Sequence, residues 1–325
     1  MMKRREFITF LGGATASWPF RAWGQQPTLP VMGLLVLPDP FMGRLRAFHD
    51  GLNEFGYHEG RNVAMELNWD GQYGRLPAAA ADLVRHKVTV IVTANTPGAL
   101  AAKKATATVP IVFNVGVDPV EAGLVASLSR PAGNATGISV LNVELGSKQL
   151  ELLHELVPAA ENIALLINPT SPAFVEPLVR QLEAAAGRYN LQLHILRASS
   201  EREFDTVFAA LAELRAGALM ISSDPFLNSR SELLARLALR HGVPTMHQIR
   251  EFPAAGGLVG YGTDIAESWR LMGNYTGRIL RGEKPANLPV QQATKVELVI
   301  NLRTAKALGI QVPRTLLALA DEVIE

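Results

Sequence analysis

Five times in this chain an apolar run that reads as a strand ends in a small capping residue followed directly by proline: Asp39-Pro40, Thr96-Pro97, Asp118-Pro119, Ser171-Pro172 and Asp224-Pro225. Asp, Thr or Ser accepts a bond from a free helix N–H, and proline suits the first helical turn, so each pair predicts a helix start. The runs ahead of them (34–37, 88–93, 111–115, 163–167 and 218–222) are short, continuous and rich in Val, Ile and Leu, the pattern of strands buried on both faces. Strands that feed helices in this way pair in parallel. Their helix N-termini then open on one side, at the carboxyl ends of the strands, where open α/β sheets bind ligands.

At 325 residues the chain is too long for one α/β core of usual size, so two domains are expected. The formal charge of +1 hides a local excess, because Lys3, Arg4, Arg5 and Arg21 stand against Glu6 alone in the first 24 residues, leaving 27 basic and 29 acidic residues beyond them. So neutral a remainder, with no long basic block, gives no electrostatic reason for a nucleic-acid partner. The basic start, the apolar stretch 7–20 and the small-x-small site Ala22-Trp23-Gly24 predict a signal peptide over residues 1–24. Arg4-Arg5-x-Phe-Ile resembles a twin-arginine export signal, although Lys3 stands where that pattern has Ser or Thr, and general secretion is the alternative. The absence of cysteine excludes disulfides, thiolate metal sites and a lipid-modified cysteine after the signal. No other segment reaches the ~18 to 20 continuous apolar residues of a membrane span. An exported chain of this kind is expected free in the periplasm.

From residue 31 strand and helix alternate up to a Pro/Gly-rich loop at 130–137, after which the pattern begins afresh. Two successive α/β units are the simplest account. The tail adds a strand at 258–261 with helix 265–280, a polar link at 283–294, then strand 297–300 with helix 302–308. The first pair can complete the first sheet and the last pair can return to the second. The expected division is therefore 28–138 with 258–289 in an N-terminal lobe and 139–257 with 290–325 in a C-terminal lobe. Three crossings, near 137–141, 256–261 and 289–294, would make a hinge.

Over nearly its whole mature length the chain resembles the periplasmic substrate-binding proteins of ABC transporters, in the group that includes the tryptophan-binding TrpX-like proteins. The resembling segments are 48–62 (FHDGLNEFGYHEGRN), 109–124 with its Gly-x-Asp-Pro, 130–137 (RPAGNATG), 250–257 (REFPAAGG) and 284–309 (KPANLPVQQATKVELVINLRTAKALG). The resemblance implies a type I periplasmic-binding-protein fold, α/β with two Rossmann-like lobes whose parallel sheets are joined by a three-stranded hinge.

If two such lobes face each other across their strand ends, a ligand touches the residues just past those ends. These are Asp39, Asn95, Thr96, Asn114 and Asp118 from the first lobe and Asn168, Ser171 and Asp224 from the second. Backbone N–H groups at 96–98 can hold a carboxylate at a positive dipole end, and Asp118 or Asp224 can accept from an ammonium group. Each of these residues has the competing role of a plain helix cap. Phe41 and Phe226 follow matching Asp-Pro pairs and can either sandwich a planar ligand or pack on their own helices. Tyr261, in the strand expected to cross back at the hinge, is a candidate to line the cleft, or else a hinge-packing residue.

The seven histidines are scattered with no metal-like spacing, and no nucleotide loop or serine-hydrolase elbow is present, so no metal, cofactor or catalytic residue is expected. The chain reads as a non-enzymatic, monomeric solute-binding protein that closes on a small polar or amino-acid-like ligand and delivers it to an ABC permease in the inner membrane. A periplasmic sensor for a chemoreceptor or kinase and an exported α/β enzyme are the other readings.

Overall fold

A computed structural model describes residues 29–36, 43–68 and 72–325. The leader and Asp39, Pro40 and Phe41 lie outside the described residues. In the first lobe strand β1 (Val31–Leu35) leads to helix α1 (Gly43–Asn53), β2 (Ala64–Leu67) to α2 (Leu76–Arg85), β3 (Val90–Thr93) to α3 (Thr96–Ala105), and β4 (Ile111–Val115) by a loop to β5 (Ala135–Ser139). The second lobe follows with α4 (Asn142–Leu156), β6 (Asn162–Ile167), α5 (Pro172–Arg188), β7 (Gln192–Arg197) and α6 (Phe204–Glu213). It continues through β8 (Ala218–Ile221), α7 (Pro225–Asn228), α8 (Ser231–Arg240), β9 (Thr245–His247), α9 (Glu251–Ala254) and β10 (Val259–Thr263). Helix α10 (Ile265–Leu280) and β11 (Gln291–Gln292) return to the first lobe, and β12 (Val296–Asn301), α11 (Leu302–Ala307), α12 (Arg314–Leu319) and β13 (Glu322–Ile324) end in the second.

Two sheets result, in the orders β11-β5-β4-β3-β1-β2 and β13-β12-β10-β9-β8-β6-β7. Every pairing is parallel except β10 with β12. Strands β3, β4 and β8 are buried at every position, as their continuous apolar runs require, and each sheet has an apolar cluster on either face.

Three expectations are displaced. The segment 119–129 forms turns and bends rather than a helix: Asp118 Oδ1 accepts from the N–H of Val120 (2.7 Å) and Glu121 (3.3 Å), and Gly123 at φ 71° ends the turn. The strand expected to complete the first sheet is β10, which pairs with β9 and β12 in the second, so the chain crosses after Thr263 and not before it. Likewise Gln291–Gln292, expected in the second lobe, extends the first sheet beside β5. The crossings are thus β5 to α4, β10 to α10 and β11 to β12.

These crossings are bonded to one another. Thr263 Oγ1 donates to Val140 O (2.8 Å), the Asp264 N–H to Lys295 O (3.0 Å), and Lys295 Nζ pairs with Asp264 Oδ2 (2.7 Å). Helix α10 is held to the first lobe by an unusually close contact with α1. A Cβ on Gly51 would overlap the carbonyl of Arg270, and one on Gly273 would overlap that of Phe48. Each helix therefore offers the other a bare backbone.

In the second lobe the wholly buried His247 ends β9 and organises the turn after it. Its Nδ1 accepts from the N–H of Gln248 (2.8 Å) and of Ile249 (3.2 Å), and the ring stacks on Phe252 with centroids 5.1 Å apart. Two donors at Nδ1 require the neutral ring with its proton on Nε2. Burial, with the positive Arg44 nearby, pulls its pKa from 6.5 down to about 3.

Gly273→Ala should lower stability by about 3 kcal/mol in thermal melts, because backbone atoms cannot step aside. Gly187→Ala, on an open face of α5, should hold stability or raise it by up to about 1 kcal/mol. From pH 6.5 down to about 3 the unfolded chain takes up a proton at His247 that the folded chain refuses. Stability should therefore fall as pH falls across that window, by on the order of 1 kcal/mol per unit. His247→Asn keeps an acceptor without the titration, and urea unfolding of this variant should lack that slope; an equal slope would assign the acid loss to other groups.

Candidate functional site

The carboxyl ends of the two sheets face each other across a cleft of about 900 Å³, counting its open mouth. From the first lobe it is lined by Val36 past β1, Arg44 of α1, Tyr73 between β2 and α2, Asn95 and Thr96 between β3 and α3, and Asn114 of β4. From the second come Ser171 and Phe174 at the start of α5, Ser223, Asp224 and Asn228 past β8, and Gln248 past β9. Asn142 after the first crossing and Ile265 and Trp269 after the second line the side nearest the crossings.

At the mouth of α3 the cap is Asn95, one residue earlier than the Thr-Pro pair predicts, and its Oδ1 accepts from the N–H of Gly98 at 2.7 Å. The carboxamide NH2 of Asn95 is thereby left for other partners. Thr96, freed from capping, is 3% exposed, and its hydroxyl has no partner among the described residues. Pro97 has no N–H, so the donor at this helix mouth that the cap does not take is the N–H of Thr96.

Beside it Asn114 Nδ2 donates to Ser268 Oγ (2.9 Å), and Ser268 spends its own proton on Ile265 O (2.8 Å). That chain fixes the amide orientation. Asn114 Oδ1 is left buried at the cleft without a partner among the described residues, and so are Asn142 Oδ1, Asn228 Oδ1 and Gln248 Oε1. The NH2 groups of Asn142 and Gln248 both meet Ser223 Oγ, the former at 2.9 Å.

Asp224 stands on the second-lobe side of the cleft, 3% exposed. Its Oδ1 accepts from the N–H groups of Phe226 (2.8 Å) and Leu227 (3.2 Å), capping α7, and from Asn168 Nδ2 (3.1 Å). Its Oδ2 accepts from the Tyr73 hydroxyl at 2.6 Å, across the cleft. Burial pushes the Asp224 carboxyl up and these hydrogen bonds pull it back, with burial the stronger. Burial and the adjacent carboxylate push the Tyr73 phenol well above its ordinary value, so it remains a donor. A second lobe-to-lobe contact, Arg44 Nη2 to Glu251 Oε1, is longer at 3.5 Å. Phe174 and Trp269 supply apolar walls.

Of the residues nominated from sequence, Asn95, Thr96, Asn114, Ser171 and Asp224 converge on the cleft, while Asp39 lies outside the described residues. Asn168 stands behind Asp224, its Oδ1 taken by Thr170 N (3.1 Å) and Oγ1 (2.7 Å). Asp118 and Tyr261 are not among the lining residues. Asp118 holds its own turn, and Tyr261 packs against the second lobe's core while its carbonyl accepts from Gln149 Nε2 (2.8 Å). Phe226 stacks on Phe204 (centroids 5.7 Å apart) in its own lobe, which removes it from a ligand sandwich. Sequence reasoning missed Ser223 and Gln248, which the same strand-end rule would have found. It also missed Arg44, Tyr73, Asn142, Asn228 and Trp269, which sit on loops and helices brought in by tertiary contacts alone.

A family model for ABC transporter substrate binding proteins matches residues 38–324. The chain is 28% identical over 268 residues, 82% of its length and 76% of the relative's, to a tyrosine-binding protein of Clostridioides difficile (strain R20291). Among solved structures, a conserved domain protein from Vibrio cholerae o1 biovar eltor str. n16961 superposes with a TM-score of 0.83 at 29% identity, over 91% of this chain and 99% of that one. An ABC domain in complex with L-Trp from Streptococcus pneumonia gives 0.81 at 25% identity over the same shares. With two mainly parallel sheets, three bonded crossings and a cleft at the strand ends, this α/β chain has the type I periplasmic-binding fold and belongs to the ABC transporter substrate-binding protein family.

Proposed function

We propose that this protein captures an amino acid with a large apolar side chain between its lobes and hands it to an ABC permease. One observation carries the reading: donors at the mouth of α3 and acceptors at Asn114 and Asp224 meet in one cleft walled by Trp269 and Phe174. The ligand carboxylate lies at the start of α3, met by the Thr96 N–H and hydroxyl, the Asn95 amide and the positive helix end. Its ammonium lies between Asn114 Oδ1 and Asp224, where a buried carboxylate and a fixed amide oxygen both accept. The side chain fills the apolar wall. The names of two relatives, a tyrosine-binding protein and an L-Trp complex, support an aromatic amino acid. The basic leader with its small-residue cleavage site supports action in the periplasm, as a free protein beside the inner-membrane permease.

Thermal-shift screening of the mature chain is the test. At 100 times its dissociation constant a ligand adds about 2.7 kcal/mol, a rise of roughly 5 °C, expected for L-Trp or L-Tyr and not for a sugar. A melting point unmoved by every amino acid would sink the reading. Thr96→Val separates binding from folding. Removing a buried hydroxyl that has no protein partner should hold or raise unliganded stability, while affinity measured by calorimetry drops roughly tenfold. Asp118→Asn and Tyr261→Phe, both away from the cleft, should leave affinity unchanged.

A further inference from the structure

Opening a clamp of this kind must separate whatever its lobes share beyond the hinge. Tyr73 is anchored in the first lobe, where its ring packs against the core cluster that contains Leu76 and Leu83. Asp224 is anchored in the second, its Oδ1 filled by two backbone N–H groups and Asn168. The two residues are linked through the chain only by way of the crossings. Their 2.6 Å bond therefore forms on closure and breaks on opening. It is charge-assisted and buried on the Asp224 side, the conditions under which a single hydrogen bond holds strongly. The Arg44 to Glu251 pair, at 3.5 Å with side chains 13% and 27% exposed, is a weaker tie.

From this we infer that Tyr73 is a closure latch: its hydroxyl holds the lobes shut through Asp224 and sets how long a captured ligand stays. Tyr73 acts as a positioning residue, keeping Asp224 Oδ2 turned into the cleft. The latch rests on the proposed capture only for its purpose; the lobe-to-lobe bond is a property of the fold.

The chain has no cysteine, so two introduced ones report on the lobes alone. Ala78→Cys on α2 and Glu232→Cys on α8, both exposed, place a spin-label pair with one label per lobe. In the ligand-free protein, Tyr73→Phe should shift the distance distribution away from the short separation that the parent populates. With L-Trp as probe, stopped-flow should give an off-rate roughly tenfold faster in Tyr73→Phe while the on-rate stays within about threefold. Identical label distances in the two proteins would overturn the latch. A parent protein blind to L-Trp would count against the functional reading alone, since the distances need no ligand.

Discussion

Everything the cleft does depends on three chain crossings that run side by side and hold one another. Thr263 ties the second crossing to the first through Val140 O, and Asp264 ties it to the third through Lys295. The middle crossing also builds the site, because α10 leaves it directly. Ile265 and Ser268 in its first turn orient the Asn114 amide, and Trp269 walls the cleft. The reciprocal glycines Gly51 and Gly273 keep α10 against α1, so these side chains move with the first lobe. In the proposed function, bending at these crossings leaves each half of the site intact and changes only the gap between them.

Several buried polar atoms without a partner among the described residues line the cleft. Thr96 Oγ1, Asn114 Oδ1, Asn142 Oδ1, Asn228 Oδ1 and Gln248 Oε1 are buried there without a partner among the described residues. A hydrogen bond from a ligand to such an atom is worth about 0.5 to 1.5 kcal/mol net. In the proposed function these atoms bond the captured ligand when the cleft shuts, which couples closure to capture through differential affinity. Asp224 shows that capping and lining are not exclusive: one oxygen caps α7 while the other faces the opposite lobe.

The strands and most helices were legible because a parallel sheet buried on both faces writes itself as continuous apolar runs between helix signals. Val90–Thr93, Ile111–Val115 and Ala218–Ile221 lie within the predicted runs. Strand ends were legible for the same reason, and they led to Asn95, Thr96, Ser171 and Asp224. What was not legible depended on sheet order. Whether Val259–Thr263 joins the first or the second sheet is decided by its partners β9 and β12, far away in sequence. With that strand misassigned, Tyr261 reads from the sequence as a candidate to line the cleft, whereas it is Trp269 that lines it. The Asp-Pro rule failed at Asp118 because Gly123 adopts a left-handed backbone within one turn, so the same cap closes a loop. Tyr73 carried no local signal for this role, since its bond to Asp224 depends on the approach of the other lobe.

One residue shows how firmly the first crossing is specified. Leu141 sits at φ 53°, ψ 29°, a left-handed backbone that costs a leucine roughly 1 to 2 kcal/mol. It lies between Val140, which accepts from Thr263, and Asn142, which reaches Ser223. The left-handed step turns the chain out of β5 and straight into α4, and the bonds around it over-determine the turn: Val140 N to Val115 O at 2.9 Å, Val143 N to Gly116 O at 3.1 Å and Leu145 N to Leu141 O at 2.9 Å. Two of those bonds reach back to the end of β4, so the strained residue is pinned to the first lobe while the helix it starts belongs to the second. Strain held in this way at a crossing fixes the direction in which α4 leaves it, and with it the place where Asn142 enters the cleft.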